Sequence, residues 1–345
     1  MSYPNMTTKT LQSKMNNDIY KFIDLAYKIA KRSIPQYSNK FSKKIYTQWQ
    51  LFVILALKIY FDTSYRDLII LLDYNTSIVE QLSLEYIPHF TTVQKFMKRM
   101  KVKGLEYVFR KALSMFKKMF ENEMLGIDST GYSTEYHSHY YDKRVKEFGL
   151  KKKRRYMKST IITALKLQII VSFKIGLNFR HDSLDFPKAL KNVPKFIIKK
   201  SKYIIGDKGY DSEYNHECAR SYGLISVIPA RYEEVPVYRT KGYYRKKMKK
   251  GLPNEYKQRT KIETVHYVIK RRFGDSIRSM NKINSRKEVI MKFLVYNIHR
   301  IIKENKNIIN YFLKRISTRL RQYALFNNSV YEIFYSNFNK FFIFS

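Results

Sequence analysis

Two short apolar runs, each ending in aspartate, constrain this chain more than any other feature. The first is Met124-Leu-Gly-Ile-Asp128, the second Tyr203-Ile-Ile-Gly-Asp207. Runs of this length, rich in aliphatic and β-branched residues and closed by turn-forming ones, read as buried strands. Two further β-rich runs lie within residues 159–176, and another within 223–230. Helical patterns intervene at about 184–200 and 211–222. Strands followed by interleaved helices predict an α/β fold with a mixed sheet. Asp128 and Asp207 are expected where a strand ends and a turn begins, the edge at which such sheets gather functional groups. A lone aspartate there more often caps the turn, so the position alone assigns nothing.

The first 105 residues read as all-helical. Trp49, Leu51, Phe52, Leu55, Ala56 and Tyr60 recur at helical spacing. Ser64 is a candidate cap for a second short helix, and Thr91 or Thr92 for a basic helix TTVQKFMKRMKVK that follows Pro88. Helix, turn and basic helix suggest a helix-turn-helix unit placing Lys95, Lys98 and Arg99 in a DNA groove; the plainer reading is a solvated lysine face.

Charge supports a polyanionic partner. The chain carries 67 Lys and Arg against 28 Asp and Glu, a formal net charge of +39. Lys, Asn, Ile, Tyr and Phe are abundant, as AT-rich codons favour, but codon bias does not account for so few acids. Nucleic acid is the expected partner, with an anionic membrane surface as the alternative. A single cysteine, Cys218, excludes a disulfide framework and a cysteine zinc site. No run approaches the ~20 apolar residues of a membrane span, so the expectation is a soluble, cytoplasmic, nucleoid-associated protein. Two basic runs flank the candidate carboxylates. Residues 143–158 hold nine basic residues and one acid, and residues 239–250 seven and none. Such runs are usually solvated loops, but here they lie where phosphate contacts would serve.

The segment YKQRTKIETVHYVIK predicts a helix from Tyr256 to Lys270. At about 100° per residue, Tyr256, Arg259, Glu263 and Lys270 share an arc of about 60°. A buried stripe would be apolar; this one sets one carboxylate among phosphate- and base-seeking groups. An exposed face with salt bridges explains the same pattern.

The spacing Tyr-x2-Arg-x3-Glu-x6-Lys is complete in these four residues, and it resembles the signature around the catalytic Glu of DDE transposases of bacterial and archaeal insertion sequences. GIDSTGYS and GDKGYDS resemble that family's first and second Asp regions, and RHDSLDF, residues 180–186, a His-Asp motif between them. KFLVYNIHRI resembles the helix after the Glu, and SYRDL and PHFTTVQKF the N-terminal helical region, so the resemblance runs from about residue 43 to 302. It implies a ribonuclease H-like mixed α/β fold with flanking helices, preceded by an all-helical DNA-binding domain. Boundaries follow at 1–105, 106–303 and a tail of 304–345 with no assigned role. Only 55 residues separate Asp207 from Glu263, too few for the large all-β insertion of some relatives.

The implied activity is cleavage at terminal inverted repeats and joining of 3′-OH ends to target DNA, with two Mg²⁺ ions, or Mn²⁺ in their place, held by Asp128, Asp207 and Glu263. Arg259, Lys270 and Lys208 would contact phosphates and Tyr256 a terminal nucleotide, with His181 and Asp182 in support. The implied assembly is a homodimer on double-stranded DNA. A metal-dependent nuclease or an inactive DNA-binding remnant of the same fold remains the alternative. Elsewhere, His137 and His139 form an H-x-H pair without an evident third ligand, His266 stands within a turn of Glu263 as a possible DNA contact, and Asp211 is expected to cap the following helix.

Overall fold

The computed structural model describes residues 8–134, 143, 144, 147–149, 156–176 and 181–324, with residues 8–17 and 305–324 as backbone helix alone. His137, His139, most of the first basic run and the apolar C-terminal segment lie outside the described residues. By its contacts the chain divides into Met1–Arg300 and Ile301–Ser345.

Helices open the first unit: α1 (Thr8–Ser33), α2 (Gln48–Tyr60), α3 (Tyr65–Asp73), α4 (Thr76–Gln81), α5 (Phe90–Arg99) and α6 (Val102–Met115). Thr47 and Gln50 close the start of α2 in a reciprocal capping box. Every residue from Gln50 to Ile59 is buried, so α2 is the core of this region rather than a surface helix. Ser64 caps α3 as expected, accepting from the Asp67 amide.

The basic helix α5 departs from expectation at both ends. It begins at Phe90 with His89 at the cap position, so Thr91 and Thr92 lie inside its first turn. It stops at Arg99 because Met100 turns extended (φ −60°, ψ 127°), and α6 starts afresh at Val102. The stop is held from outside. Lys287 Nζ donates to the Met97 and Lys98 carbonyls at 3.0 Å each, supplying partners the last turn of a helix lacks.

Among the described residues six strands form one sheet: β1 (Glu123–Thr134), β2 (Tyr156–Ala164), β3 (Ile169–Gly176), β4 (Ser201–Gly206), β5 (Ile225–Val227) and β6 (Ser276–Ile277). The order is β3-β2-β1-β4-β5, with β6 beside β1. β1, β2 and β3 run antiparallel in sequence, whereas β4 and β6 are parallel to β1 and β5 to β4. The sheet is therefore mixed, as the strand pattern predicts. β2 is buried from Met157 to Ala164, the sign of a central strand covered on both faces.

Two expectations about length change. The helix predicted over 184–200 is a 3-10 turn (Asp182–Leu184) followed by α7 (Phe186–Lys191) and α8 (Lys195–Ile198), because Pro194 interrupts it. β1 does not end at Asp128. It runs on to Thr134, since Ser129–Ser133 still pair with β2 after the pairing with β4 has stopped.

The remaining helices are α9 (Glu213–Ser221), α10 (Tyr243–Lys250), α11 (Thr260–Phe273) and α12 (Lys282–Ala324). Ile262 of α11 sits in an apolar cluster with Leu165, Ile205, Val227 and Met248 of α10. Gly126 makes that fit possible: a Cβ there would meet the Ile262 side chain at 2.4 Å.

Candidate active site

Strand register brings the two aspartates together. Ile127 of β1 lies opposite Gly206 of parallel β4, so Asp128 and Asp207 follow at one level on neighbouring strands. Each carboxylate is steadied by the next residue: the Ser129 amide donates to Asp128 at 2.8 Å and the Lys208 amide to Asp207 at 2.7 Å. Asp207 thereby caps the 3-10 turn Lys208–Tyr210. The Asp128 carboxyl is pushed up to about 6, by burial first and then by the charges of Asp207 and Glu263, against the Ser129 amide and Arg259, which lower it. The three carboxylates therefore share one electrostatic neighbourhood.

Glu263 arrives on α11. Gly126, two residues before Asp128, faces Ile262, the residue before Glu263. The expected helix over 256–270 is in fact two pieces: a 3-10 stretch, Asn254–Arg259, carries Tyr256 and Arg259, and α11 begins at Thr260. Pro253 fixes the entry, and tight first turns are a usual way to start a helix. The 60° arc belongs to a continuous α-helix and does not describe this segment. Tyr256 and Arg259 nonetheless stay on one side, because residues i and i+3 eclipse in a 3-10 helix. Arg259 Nη2 pairs with Glu263 Oε1 at 2.7 Å. Burial raises the Tyr256 hydroxyl above its ordinary value, Arg259 opposes it, and Asp207 and Glu263 add to it; the ring packs against the apolar cluster that holds Ile262.

His266 faces inward, not toward solvent. Its ring is buried, with Nε2 3.6 Å from Asp128 Oδ2, too far for a hydrogen bond. Neither ring nitrogen has a hydrogen-bond partner. Burial lowers its pKa to about 4, so near neutrality the pair is a neutral imidazole against a carboxylate and not an ion pair. The exposed DNA contact considered for His266 is thus corrected: packing on β1 covers it. Lys270 is half-buried, its ammonium 5.7 Å from the Tyr132 ring centre. Lys208 is exposed beside Asp207. Lys95, Lys98 and Arg99 are exposed on α5.

A layer behind the aspartates was not anticipated. Ser129 Oγ lies 2.6 Å from the Tyr210 hydroxyl and 2.7 Å from Thr160 Oγ1. Tyr210 and Thr160 are buried, so three hydroxyls join the residue after Asp128 to the turn after Asp207. Lys158, also buried, pairs with Asp182 at 2.6 Å and Asp185 at 3.7 Å. Asp182 in turn touches the Asp207 turn, standing 3.5 Å from where a Gly209 Cβ would be. His181 is exposed and accepts from the Ser183 amide, capping the turn that carries Asp182. Alternation along 156–164 could have exposed Lys158 as a strand residue; it was hidden in a basic run.

Asp211 does not cap α9, whose cap position is Ser212. Its fully buried carboxylate takes Arg245 of α10 in two bonds, 2.8 and 2.7 Å, and accepts the Arg231 amide at 2.9 Å. Glu213 accepts from the Tyr244 and Arg245 amides at the start of α10. Gly242, at φ +94°, is in the left-handed region where a side chain is disfavoured, and a Cβ there would strike Glu213. The second basic run is therefore an anchored helix, not a free loop.

The Transposase DDE domain profile matches residues 122–298. This chain belongs to the DDE-domain transposases. That family is one of DNA-cleaving and strand-transferring proteins, and the matched stretch spans β1 through most of the buried part of α12, taking in all three carboxylates. None of the curated proteins matches this chain. Among solved structures it is similar to a piggyBac transposase synaptic complex with hairpin DNA (10% identity, 84% of this chain and 73% of that one, TM-score 0.41). It is also similar to a pre-cleavage Mos1 transpososome (8% identity, 79% and 82%, TM-score 0.22).

DDE-domain transposases usually use divalent metal ions. The donor set fits a hard cation: carboxylate oxygens, one of them desolvated and crowded by like charge. Among the described residues, however, no three His, Cys, Asp or Glu side chains cluster closely enough to hold one ion, and Glu263 is engaged by Arg259. Among the described residues no helix is long and apolar enough to cross a membrane.

Proposed function

We propose that this chain is the transposase of an insertion sequence, in the group marked by the Tyr-x2-Arg-x3-Glu-x6-Lys signature. It binds the element's terminal inverted repeats as a homodimer, cleaves the ends, and joins each 3′-OH to target DNA in the cytoplasm, at the nucleoid. Its catalytic domain is ribonuclease H-like over residues 106–303, preceded by a helical DNA-binding region in 1–105; the mixed strand order supports that fold. The observation that carries the reading is the Ile127–Gly206 pair, which sets Asp128 and Asp207 next in line on its far side, with the Glu263 helix seated beside β1 through Gly126.

Asp128, Asp207 and Glu263 would hold two Mg²⁺ ions, or Mn²⁺, which supply an activated water and neutralise charge on the departing 3′ oxygen. The backbone amides of Ser129 and Lys208 aim the two aspartates. Lys208, Arg259 and Lys270 offset phosphate charge beside the cut, and Tyr256 stacks on the end nucleotide. In joining, the freed 3′ oxygen forms a bond to a target phosphorus as that phosphorus loses its own 3′ oxygen. One phosphodiester replaces another, so no covalent enzyme intermediate and no external energy source is required.

Glu263→Gln should abolish cleavage of a labelled terminal-repeat duplex while leaving its binding intact. Cleavage by that variant would remove Glu263 from the assignment. Hydrolysed ends without joined product from the parent chain would make it a nuclease of the same fold.

A further inference from the structure

We infer that a groove between the 36–46 loop and α5 is a docking site for the phosphate backbone of double-stranded DNA, distinct from the carboxylate site. The inference rests on the DNA-joining reading above and deepens its DNA-binding region: it adds Lys43 and Lys44 as a second wall facing Lys95 and Arg99. The groove encloses about 340 Å³, and no carboxylate lines it. Lys43 and Lys44 stand on one wall, Lys95 and Arg99 on the other. None of the four has an ion pair among the described residues. On a chain with few acids, unpaired lysines are common; two cationic walls facing one trough are not.

Hydroxyls complete the donor set. Ser42 and Thr92 line the same trough, and Ser42 Oγ is buried without a hydrogen-bond partner. Cations on both walls with no carboxylate between them, arranged in a trough, suit backbone phosphates rather than base edges.

Both walls are prebuilt. Trp49 Nε1 donates to the Ile34 carbonyl at 2.7 Å, the Gln48 amide to Gln36 at 2.7 Å, and the Phe41 amide to Asn39 Oδ1 at 2.9 Å. Between these anchors Lys44 stands at φ +55°, a conformation that costs a residue with a side chain. On the other wall, Lys95 and Arg99 lie four residues apart on one helix face, and Lys287 ties down the end of α5. The cations are thus presented from fixed backbone, as register-setting phosphate contacts need.

The test is the salt dependence of binding to a labelled duplex of arbitrary sequence. It compares the full chain with Lys43→Gln/Lys44→Gln, with Lys95→Gln/Arg99→Gln, and with Lys202→Gln as control. Lys202 is exposed on β4, away from the Asp207 end. If each cation meets one phosphate, each double variant lowers the slope of log affinity against log salt by about two, and weakens binding roughly tenfold near 0.15 M. Lys202→Gln should keep the parent slope. Circular dichroism and the thermal midpoint check that each variant is folded, and the two pairs test opposite walls independently. Slopes equal to the parent's in both pairs overturn the inference. So does loss of binding to vesicles containing phosphatidylserine with the DNA slope unchanged, which would make the groove a membrane contact. Glu263→Gln, run alongside, reports on the catalytic reading through its cleavage and not through its slope, because it also frees Arg259. If that variant still cleaves while the groove variants lose slope, the catalytic reading fails and the groove stands.

Discussion

At the scale of single residues, the hydroxyl network behind the aspartates makes the sharpest claim. Tyr210 spends its hydroxyl on Ser129 Oγ at 2.6 Å, fixing the residue after Asp128 to the turn that begins at Asp207. Tyr210→Phe removes one oxygen and leaves Thr160 as a partner for Ser129. The expected cost to stability is only about 1–2 kcal/mol, one buried hydrogen bond. The expected cost to strand cleavage is larger, about tenfold, with more Mg²⁺ needed for half-maximal rate. A Phe variant with the parent's rate and Mg²⁺ dependence would reduce Tyr210 to a packing residue. None of this was legible from sequence, because Ser129, Thr160 and Tyr210 meet across 31 and 81 positions of chain. His266 and Asp211 were misread for the same reason. Each has a local role that looks sufficient, and what decides it lies far away along the chain: Arg245 pairs with Asp211, and packing beside β1 buries the His266 ring.

Between elements, the contact of α11 with β1 decides where Glu263 stands. Gly126 has no side chain where Ile262 needs room. Gly126→Ala would force Ile262 back, at about 1–3 kcal/mol for an overpacked core, and would shift Glu263 away from Asp128. Lower thermal stability together with a larger loss in cleavage than in DNA binding is expected. A variant as stable and active as the parent would show that α11 is not positioned this way. The strands themselves were readable, because β-branched runs such as 159–164 and 169–175 have few other uses. Their ends were less so: β1 outlasts β4, and only its pairing with β2 and β6 tells where it stops. The signature helix was readable in spacing but not in kind: its first part, Asn254–Arg259, is a 3-10 stretch, and nothing in the side-chain pattern distinguishes that from the start of an α-helix.

For the whole molecule, one buried acid links stability to pH away from the site. Glu123, at the start of β1, accepts from the Lys166 amide at 3.1 Å, and burial pushes its carboxyl up from 4.5 to about 7. A folded value above the unfolded one adds stability that is complete below about 4.5 and is lost as pH rises through about 7. Glu123→Gln should therefore be more stable than the parent at pH 8 by up to roughly 3 kcal/mol and close to it at pH 4. Equal pH profiles of the thermal midpoint would show that Glu123 titrates alike in the folded and unfolded chain, its carboxyl not raised by burial. Asp128 contributes in the same direction below about 6, so Glu123→Gln flattens the profile without levelling it.

The central claim is that one carboxylate set both cuts and joins. Its most direct measurement uses a labelled duplex from the DNA flanking the gene, precut to expose the 3′-OH, with a supercoiled target plasmid and Mg²⁺. The parent chain should yield end–plasmid joined product. Asp128→Asn, Asp207→Asn and Glu263→Gln should each bind the end and yield none. Joined product from any of the three, or none from a parent chain that binds and hydrolyses the end, would contradict the account.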